Sequence, residues 1–501
     1  MRHATAVVVL ACVAVLFAAH PQAQGPAFRD LEQKVVERTL PNGLRVILVP
    51  LAGAPVVSMV TYADVGSVDE AQNRTGLAHI FEHMAFKGTT TLGTKDLAKE
   101  LDAMKKEDVA FLALRAERLH RPKPDAARLQ ELEAAFNAAK DEAAKYVDVG
   151  RLGQLLEQEG ALGLNAFTSL DQTAYLYSLP SNKLELWAAV EYDRFSNPVF
   201  REFYKEKDVI MEERRMGESQ PTGRLIDDFL AVAYKGHMYR NFVIGHVSDL
   251  RGIRRSDAEA WFKEYYGAKN LTAVVVGDVD PASAWPMLEK WLGRIPPGEK
   301  PGPVITEEPP QRAEKRIIME DPAQPTLLVG YHRPGITDPD KSAYEALSDI
   351  LAGGRSSRLY KALVKEKQVA LNAQAIPSLG DKYPSLFLFL VMPNRGRTNA
   401  ECEAAVEVEI ERLKSEPVSA EELAGVKARA KSALIDRLSD NVGFAMELAT
   451  TQNLRGDWRL LFRELDEIDR VTPSDIQRVA QKTFVKSNRT VGQIETSRAT
   501  K

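Results

Sequence analysis

His79-Ile80-Phe81-Glu82-His83 places two imidazoles four residues apart, with a carboxylate one step before the second. The surrounding stretch, Gly76 to Thr89, carries apolar residues at helical spacing. The pentapeptide is therefore expected on a helix that starts after Asn73-Arg74-Thr75 and stops at Gly88. Positions i and i+4 share one helix face, about 5–6 Å apart between Cβ atoms, so both rings can reach one tetrahedral Zn²⁺ at roughly 2.0–2.1 Å. HxxEH is the ligand order of an inverted zinc-peptidase site, in which the glutamate need not bind metal and can take a proton from the attacking water. The pattern arises by chance in about one chain in 100 of this length, so its surroundings must carry the rest. Two histidines on a buried face without metal or hydrogen-bond partners would be costly.

The chain has 501 residues, 44% hydrophobic and 27% charged, which is globular composition too long for one ordinary core. A net charge of −4 gives no compositional ground for nucleic-acid binding. Arg2 and His3 precede an apolar run from Ala4 to Ala19, followed by His20-Pro21-Gln22-Ala23-Gln24. This reads as a signal peptide over residues 1–24, cleaved near Ala23, and implies an exported, periplasmic or secreted protein with no stable membrane span. An uncleaved anchor is the alternative. Val9-Leu10-Ala11-Cys12 resembles a lipoprotein cleavage box, but the apolar run continues well past Cys12, so lipidation is discounted. Only Cys12 and Cys402 occur, so removal of the signal leaves one thiol and no internal disulfide.

After the signal, Lys34 to Pro50 and Val56 to Asp64 read as strands with turns at Pro41-Asn42-Gly43 and Gly53-Ala54-Pro55. Strands are also expected over 165–169 and 173–179, and helices over Lys183 to Phe195 and Lys205 to about Gly217. Ser256-Asp257 through Asn270-Leu271-Thr272 matches Ser474-Asp475 through Asn488-Arg489-Thr490, with a helix leading into a strand in both copies. The Pro-rich stretch from Ile295 to Gln311 is the natural linker between two related units. The fold class expected is α+β: two homologous α/β-sandwich halves, each an antiparallel-rich sheet with helices packed on it, forming a clam-like chamber. The first half spans about 30–295 and the second 312–501, with the linker at 296–311. In the second half, Pro325 to Tyr331 and Ser342 to Leu351 correspond to the strand and helix of the metal site, but that helix carries Glu345 and Asp349 and no histidine. Its expected task is to close over the first half. Residues 101–150 interrupt the first half with leucines and alanines at helical spacing, broken at Pro122 and Pro124, and predict an inserted helical hairpin. A solvated surface insertion is its plainer reading; a lid or subunit contact is the sharper one.

A catalytic zinc usually takes three protein ligands and leaves the fourth position for water, so the two histidines need one more donor. Glu213 is the strongest candidate. Glu206 and Glu213 lie seven apart on one helix face, which leaves Glu206 to orient a ligand. An exposed helix with i,i+4 ion pairs is the plainer reading of the same stretch. His237, His246 and His332 sit near loops or strand ends and suit hydrogen-bonding roles.

The chain resembles the inverzincin metallopeptidases, which include pitrilysin, insulin-degrading enzyme and the mitochondrial processing peptidase. The resemblance rests on Gly76 to Thr89, Leu164 to Ser169, Asp171, Thr173, Tyr175, Asp193-Arg194-Phe195 and Glu206 to Glu213. His237 to Arg240, Ile244-Gly245, Ser248-Asp249-Leu250 and Gly353 to Tyr360 extend it, so it covers about Val36 to Ile494. It implies one Zn²⁺ on His79, His83 and Glu213, with Glu82 as general base and Glu206 as supporting carboxylate. It also implies that Asn165 and Ala166, on an edge strand, hold an extended peptide or unfolded polypeptide by main-chain pairing. Many members place an Arg and a Tyr from the second half near the scissile carbonyl, whereas the comparable strand here, Ser385 to Val391, has no Arg. Arg358 and Tyr360 are substitutes whose helix-turn setting points to packing. In some two-chain members a metal-free homologue supplies those groups. The expectation is therefore a zinc endopeptidase that forms a heterodimer with a metal-free homologous subunit, or a homodimer. The rival is a non-catalytic or assembly-dependent subunit that keeps the fold for binding.

Overall fold

The computed structural model describes residues 26–497; the expected signal peptide and its cleavage site lie outside the described residues. Six strands form the first sheet: β1 (Val36–Thr39), β2 (Arg45–Pro50), β3 (Val56–Ala63), β4 (Leu162–Thr168), β5 (Thr173–Pro180) and β6 (Leu271–Gly277), in the order β1-β2-β6-β3-β5-β4. Five form the second: β7 (Lys315–Asp321), β8 (Thr326–Arg333), β9 (Ala370–Ile376), β10 (Ser385–Pro393) and β11 (Arg489–Thr496), in the order β7-β11-β8-β10-β9. The stretch read as one strand from Lys34 to Pro50 divides at Pro41-Asn42-Gly43, whose turn folds β1 back on β2.

Without β1, the two sheets have the same plan. β2 pairs parallel with β6 as β7 does with β11, and every other neighbouring pair is antiparallel. The internal duplication is thus visible in strand order and direction, and the chain has the two-domain, clam-like α+β fold.

Both faces of the first sheet are covered, which is why β2, β3 and β6 read as near-continuous apolar runs. Val46, Leu48, Met59 and Val275 face the helices of their own half, including the HxxEH helix. Ile47, Val49, Val60 and Val276 face Phe444, Ala445, Leu448 and Ala449, on a helix of the second half (Asn441–Arg455). The exchange is reciprocal. The helix Pro221–Ala233 of the first half sets Leu225, Phe229 and Leu230 against Leu328, Leu388 and Ile494 of the second sheet. Gly330 leaves room for this helix, since a Cβ there would lie 2.8 Å from Phe229 Cζ.

A polar latch adds to these contacts. Asp171 accepts from the backbone N–H of Asp381 at 2.7 Å and of Lys382 at 3.2 Å, and the Tyr239 hydroxyl donates to its other oxygen. Lys382 Nζ reaches Asp64 at 2.8 Å. The Pro-rich stretch between the sheets forms no helix or strand, but it is packed: Glu308 accepts from the N–H groups of Lys235, Gly236 and His237. The insertion is a helical hairpin, Leu97–Arg118 and Ala126–Ala144, broken where Pro122 and Pro124 stand. Among the described residues no helix is long and apolar enough to cross a membrane.

Candidate metal centre

The HxxEH helix runs over Leu77–Met84, one turn shorter than Gly88 suggests. Its start is fixed by tertiary contacts. Gly76 adopts φ 93°, and a Cβ there would lie 2.8 Å from the Ile244 carbonyl oxygen. The N–H groups of Gly76 and Ala78 donate to buried Glu70 at 2.8 and 2.9 Å. Thr75 bonds Asp249 at 2.8 Å through its hydroxyl. Leu77, Ile80, Phe81 and Met84 are buried, with Phe81 packed 3.9 Å from the Tyr266 ring between centroids. The opposite face carries His79, Glu82 and His83, all half-buried.

Glu213 comes from the helix Phe203–Ser219, which extends two residues beyond each end of the expected span. His79 Nε2 lies 3.7 Å from Glu213 Oε2, and His83 Nε2 lies 3.9 Å from Glu213 Oε1. One ligand atom from each of the three residues falls within 4.8 Å of the other two. A tetrahedral zinc set at about 2.0–2.1 Å spaces its donors about 3.4 Å apart, so small side-chain rotations bring these to bonding distance. These separations are too long for hydrogen bonds. Among the described residues neither ring nitrogen of His79 makes one, and its Nδ1 is buried without a partner. Burial and the neighbouring His83 push the His79 imidazole down to about 4, so it is neutral with a free lone pair at neutral pH. Two imidazole nitrogens and a carboxylate, converging and mutually unbonded, fit a zinc ion.

His83 is oriented from behind. Burial lowers its proton affinity, but the hydrogen bond to Glu206 and the charges of Glu213, Glu206 and Glu82 outweigh that and hold it above the ordinary value. Its Nδ1 faces Glu206 Oε2 at 3.2 Å, which leaves Nε2 for a metal. Lys87 donates to the other Glu206 oxygen and stands 3.4 Å from Glu202. Burial opposes ionisation of Glu206, but its bonds with His83 and Lys87 win and hold its pKa below the usual range.

Glu82 behaves oppositely: burial raises its pKa, only partly offset by the Thr168 hydroxyl and N–H and by His83. Thr168 ends β4, the outermost strand of the sheet, so β4 runs beside Glu82 with one edge unpaired among the described residues. Asn165 on that strand is exposed and Ala166 half-buried. The sites expected from sequence therefore come together: His79, Glu82, His83, Glu206 and Glu213 in one cluster, and Asn165 and Ala166 on the adjoining edge. Lys87, Thr168 and Glu70 were not singled out. The i+4 spacing of Lys87 from His83 was the only local signal for any of them.

The three other histidines considered from sequence have partners, and His237 Nδ1 accepts from the Tyr239 N–H at 3.3 Å. His332 Nε2 meets the Ala233 carbonyl and His246 Nε2 meets Asn241 Oδ1, both at 3.2 Å. Arg358 is bonded to Glu422 at 2.7 and 3.0 Å within the second half.

Residues 45–114 and 137–246 match the family model described as Insulinase (Peptidase family M16), and residues 252–430 match the Peptidase M16 inactive domain. The chain is 26% identical over 464 residues to "Zinc protease PqqE" of Helicobacter pylori, covering 89% of each chain. The crystal structure of a protease from Helicobacter pylori shares the fold with a TM-score of 0.76 at 24% identity, over 92% of this chain and 99% of that one. The periplasmic protease PqqL from Escherichia coli does so with a TM-score of 0.69 at 18% identity, over 93% of this chain but 48% of PqqL.

Proposed function

Because the chain belongs to peptidase family M16, we propose that it is a zinc-dependent endopeptidase that hydrolyses peptides or unfolded polypeptides. The observation that carries this reading is the convergence of three mutually unbonded donors, His79, His83 and Glu213, beside a half-buried Glu82 whose pKa is raised. Zinc, when bound by these three residues, supplies Lewis acidity that polarises the scissile carbonyl and acidifies water. Glu82 takes the proton of the attacking water and delivers it to the leaving amine; its raised pKa suits both transfers. Glu206 accepts from His83 Nδ1 and fixes the ring tautomer that presents Nε2. An extended substrate adds to the open edge of β4, where Asn165 and Ala166 meet it.

We also assign the chain the zinc-bearing role in a two-subunit assembly, either with a metal-free homologue or with a second copy. β10 brings no arginine, and Arg358 is held by Glu422, so an oxyanion donor has to come from elsewhere. A missing oxyanion donor costs about 10²- to 10³-fold. That this chain spans 48% of PqqL supports a functional unit of twice its length. The apolar run at the N-terminus supports export to the periplasm or beyond. The second reading, a non-catalytic subunit, draws on the missing arginine alone. The test is cleavage of a quenched-peptide library by wild type and Glu82→Gln, each alone and with co-purified partners. Cleavage by wild type and its loss in Glu82→Gln with zinc retained is the expected result. A zinc-loaded wild type that cleaves nothing, alone or with partners, moves the assignment to the non-catalytic reading.

A further inference from the structure

The inserted hairpin does more than decorate the surface. The M16 match passes over residues 115–136, and this segment forms one wall of a cleft of about 970 Å³, whose other wall is the back of the Glu213 helix. Tyr204, Lys207 and Met211 of that helix line the cleft, while Glu206 and Glu213 of the same helix face the histidines.

Seven basic side chains line the cleft against four acidic ones. Three of the basic groups are neutralised locally, in the pairs Arg118–Glu133, Lys140–Asp208 and Arg254–Asp257. Three others have no carboxylate partner among the described residues, and all three gather at the 251–253 segment. Arg115 donates through Nε to the Gly252 carbonyl at 2.9 Å, leaving its terminal nitrogens free. Arg251 is exposed and makes no ion pair among the described residues. Lys207 is buried, with its ammonium on the Arg251 and Ile253 carbonyls at 3.4 and 2.5 Å and 4.4 Å from the centre of the Phe111 ring. Burial pulls the Lys207 pKa down to about 7, a cost that an anion alongside would relieve. The inner wall is apolar: Phe111, Phe136 and Tyr204 pack in tilted and edge-on pairs with ring centroids 4.4–5.5 Å apart, and Leu119 lies 56% exposed at the rim.

Unpaired cations beside an aromatic wall suit a ligand with an anionic head and an apolar body. We propose that the cleft between the inserted hairpin and the Glu213 helix binds an amphiphilic organic anion, an acyl chain ending in a phosphate or carboxylate. The site is separate from the peptidase site and its test does not depend on peptidase activity.

The experiment is calorimetric titration of the full-length protein with dodecyl phosphate, dodecanoate, inorganic phosphate and dodecanol, all below micelle concentrations. One saturable site per chain is expected for at least one of the two amphiphilic anions, and the tighter of them identifies the headgroup. Inorganic phosphate and dodecanol should bind at least tenfold more weakly. Arg115→Gln/Arg251→Gln should weaken the amphiphile at least tenfold, and Arg251→Gln alone, which removes no contact of the fold, at least threefold. Unchanged affinity in Arg251→Gln overturns the proposal, as does inorganic phosphate binding as tightly as the amphiphiles, or no saturable binding of either.

Discussion

The HxxEH helix and its counterpart in the second half, Lys341–Ala352, occupy equivalent places on sheets of the same strand order, yet they face their partner helices with opposite chemistry. In the first half, His79 and His83 look toward Glu213 across gaps of 3.7 and 3.9 Å, and among the described residues no lysine or arginine forms an ion pair with Glu213. In the second, Asp349 is met by Arg429, on the helix Ala420–Arg437, through Nε at 3.0 Å to both carboxylate oxygens, and Glu345 is met by Lys341 at 2.7 Å. On the proposed function, one half leaves its acceptors to be satisfied by an ion from solution, whereas the other supplies the cation from its own chain. The difference separates the candidate metal site from a structural copy that carries its own cations.

The largest effect should come from removing a donor. His83→Ala should lose zinc and reduce peptidase activity to background, checked by metal analysis and peptide cleavage on one preparation. Glu82→Gln should keep zinc and lower kcat by about 10²- to 10⁴-fold, the range of positioned general bases. Glu206→Gln should weaken zinc binding by about 10- to 100-fold in chelator competition, because it unhinges His83 without removing a ligand.

The pH profile gives a finer test. Glu82 must be ionised to act as base, so kcat/KM falls as pH drops through its raised pKa, on an acid limb above the ordinary glutamate range. Thr168 favours the ionised form, so Thr168→Val should move that limb further up, by no more than one hydrogen bond of about 1 kcal/mol supports. The smallest effect belongs to the second half. Arg429→Met breaks a pair whose side chains are 42% and 25% exposed, which should cost no more than about 1 kcal/mol in denaturant unfolding. Zinc content should not change. A loss of zinc in this variant would mean that the two helices are not independent.

What could be read in the sequence follows from the range of the interactions involved. His79, Glu82 and His83 share one helix face, and Glu206 and Glu213 another, so helical periodicity alone groups them. The hairpin at 101–150 and its break at Pro122 and Pro124 are equally local. Lys87, by contrast, meets Glu206 from 119 residues away, and Glu70 takes the place at the helix start that Asn73-Arg74-Thr75 seemed to fill. The helix exchange was hidden for a related reason. The apolar faces around Phe229 and Phe444 are legible, but nothing local in either helix tells which sheet it covers. The duplication was faint in residue identities and plain in strand order, because packing preserves direction and pairing where side chains have diverged.

The central claim is tested most directly by the zinc content of the purified wild-type chain after dialysis, with His83→Ala alongside. One zinc per wild-type chain and none in the variant is the expected result. A wild-type chain that holds no zinc, even after incubation with the metal, would contradict it.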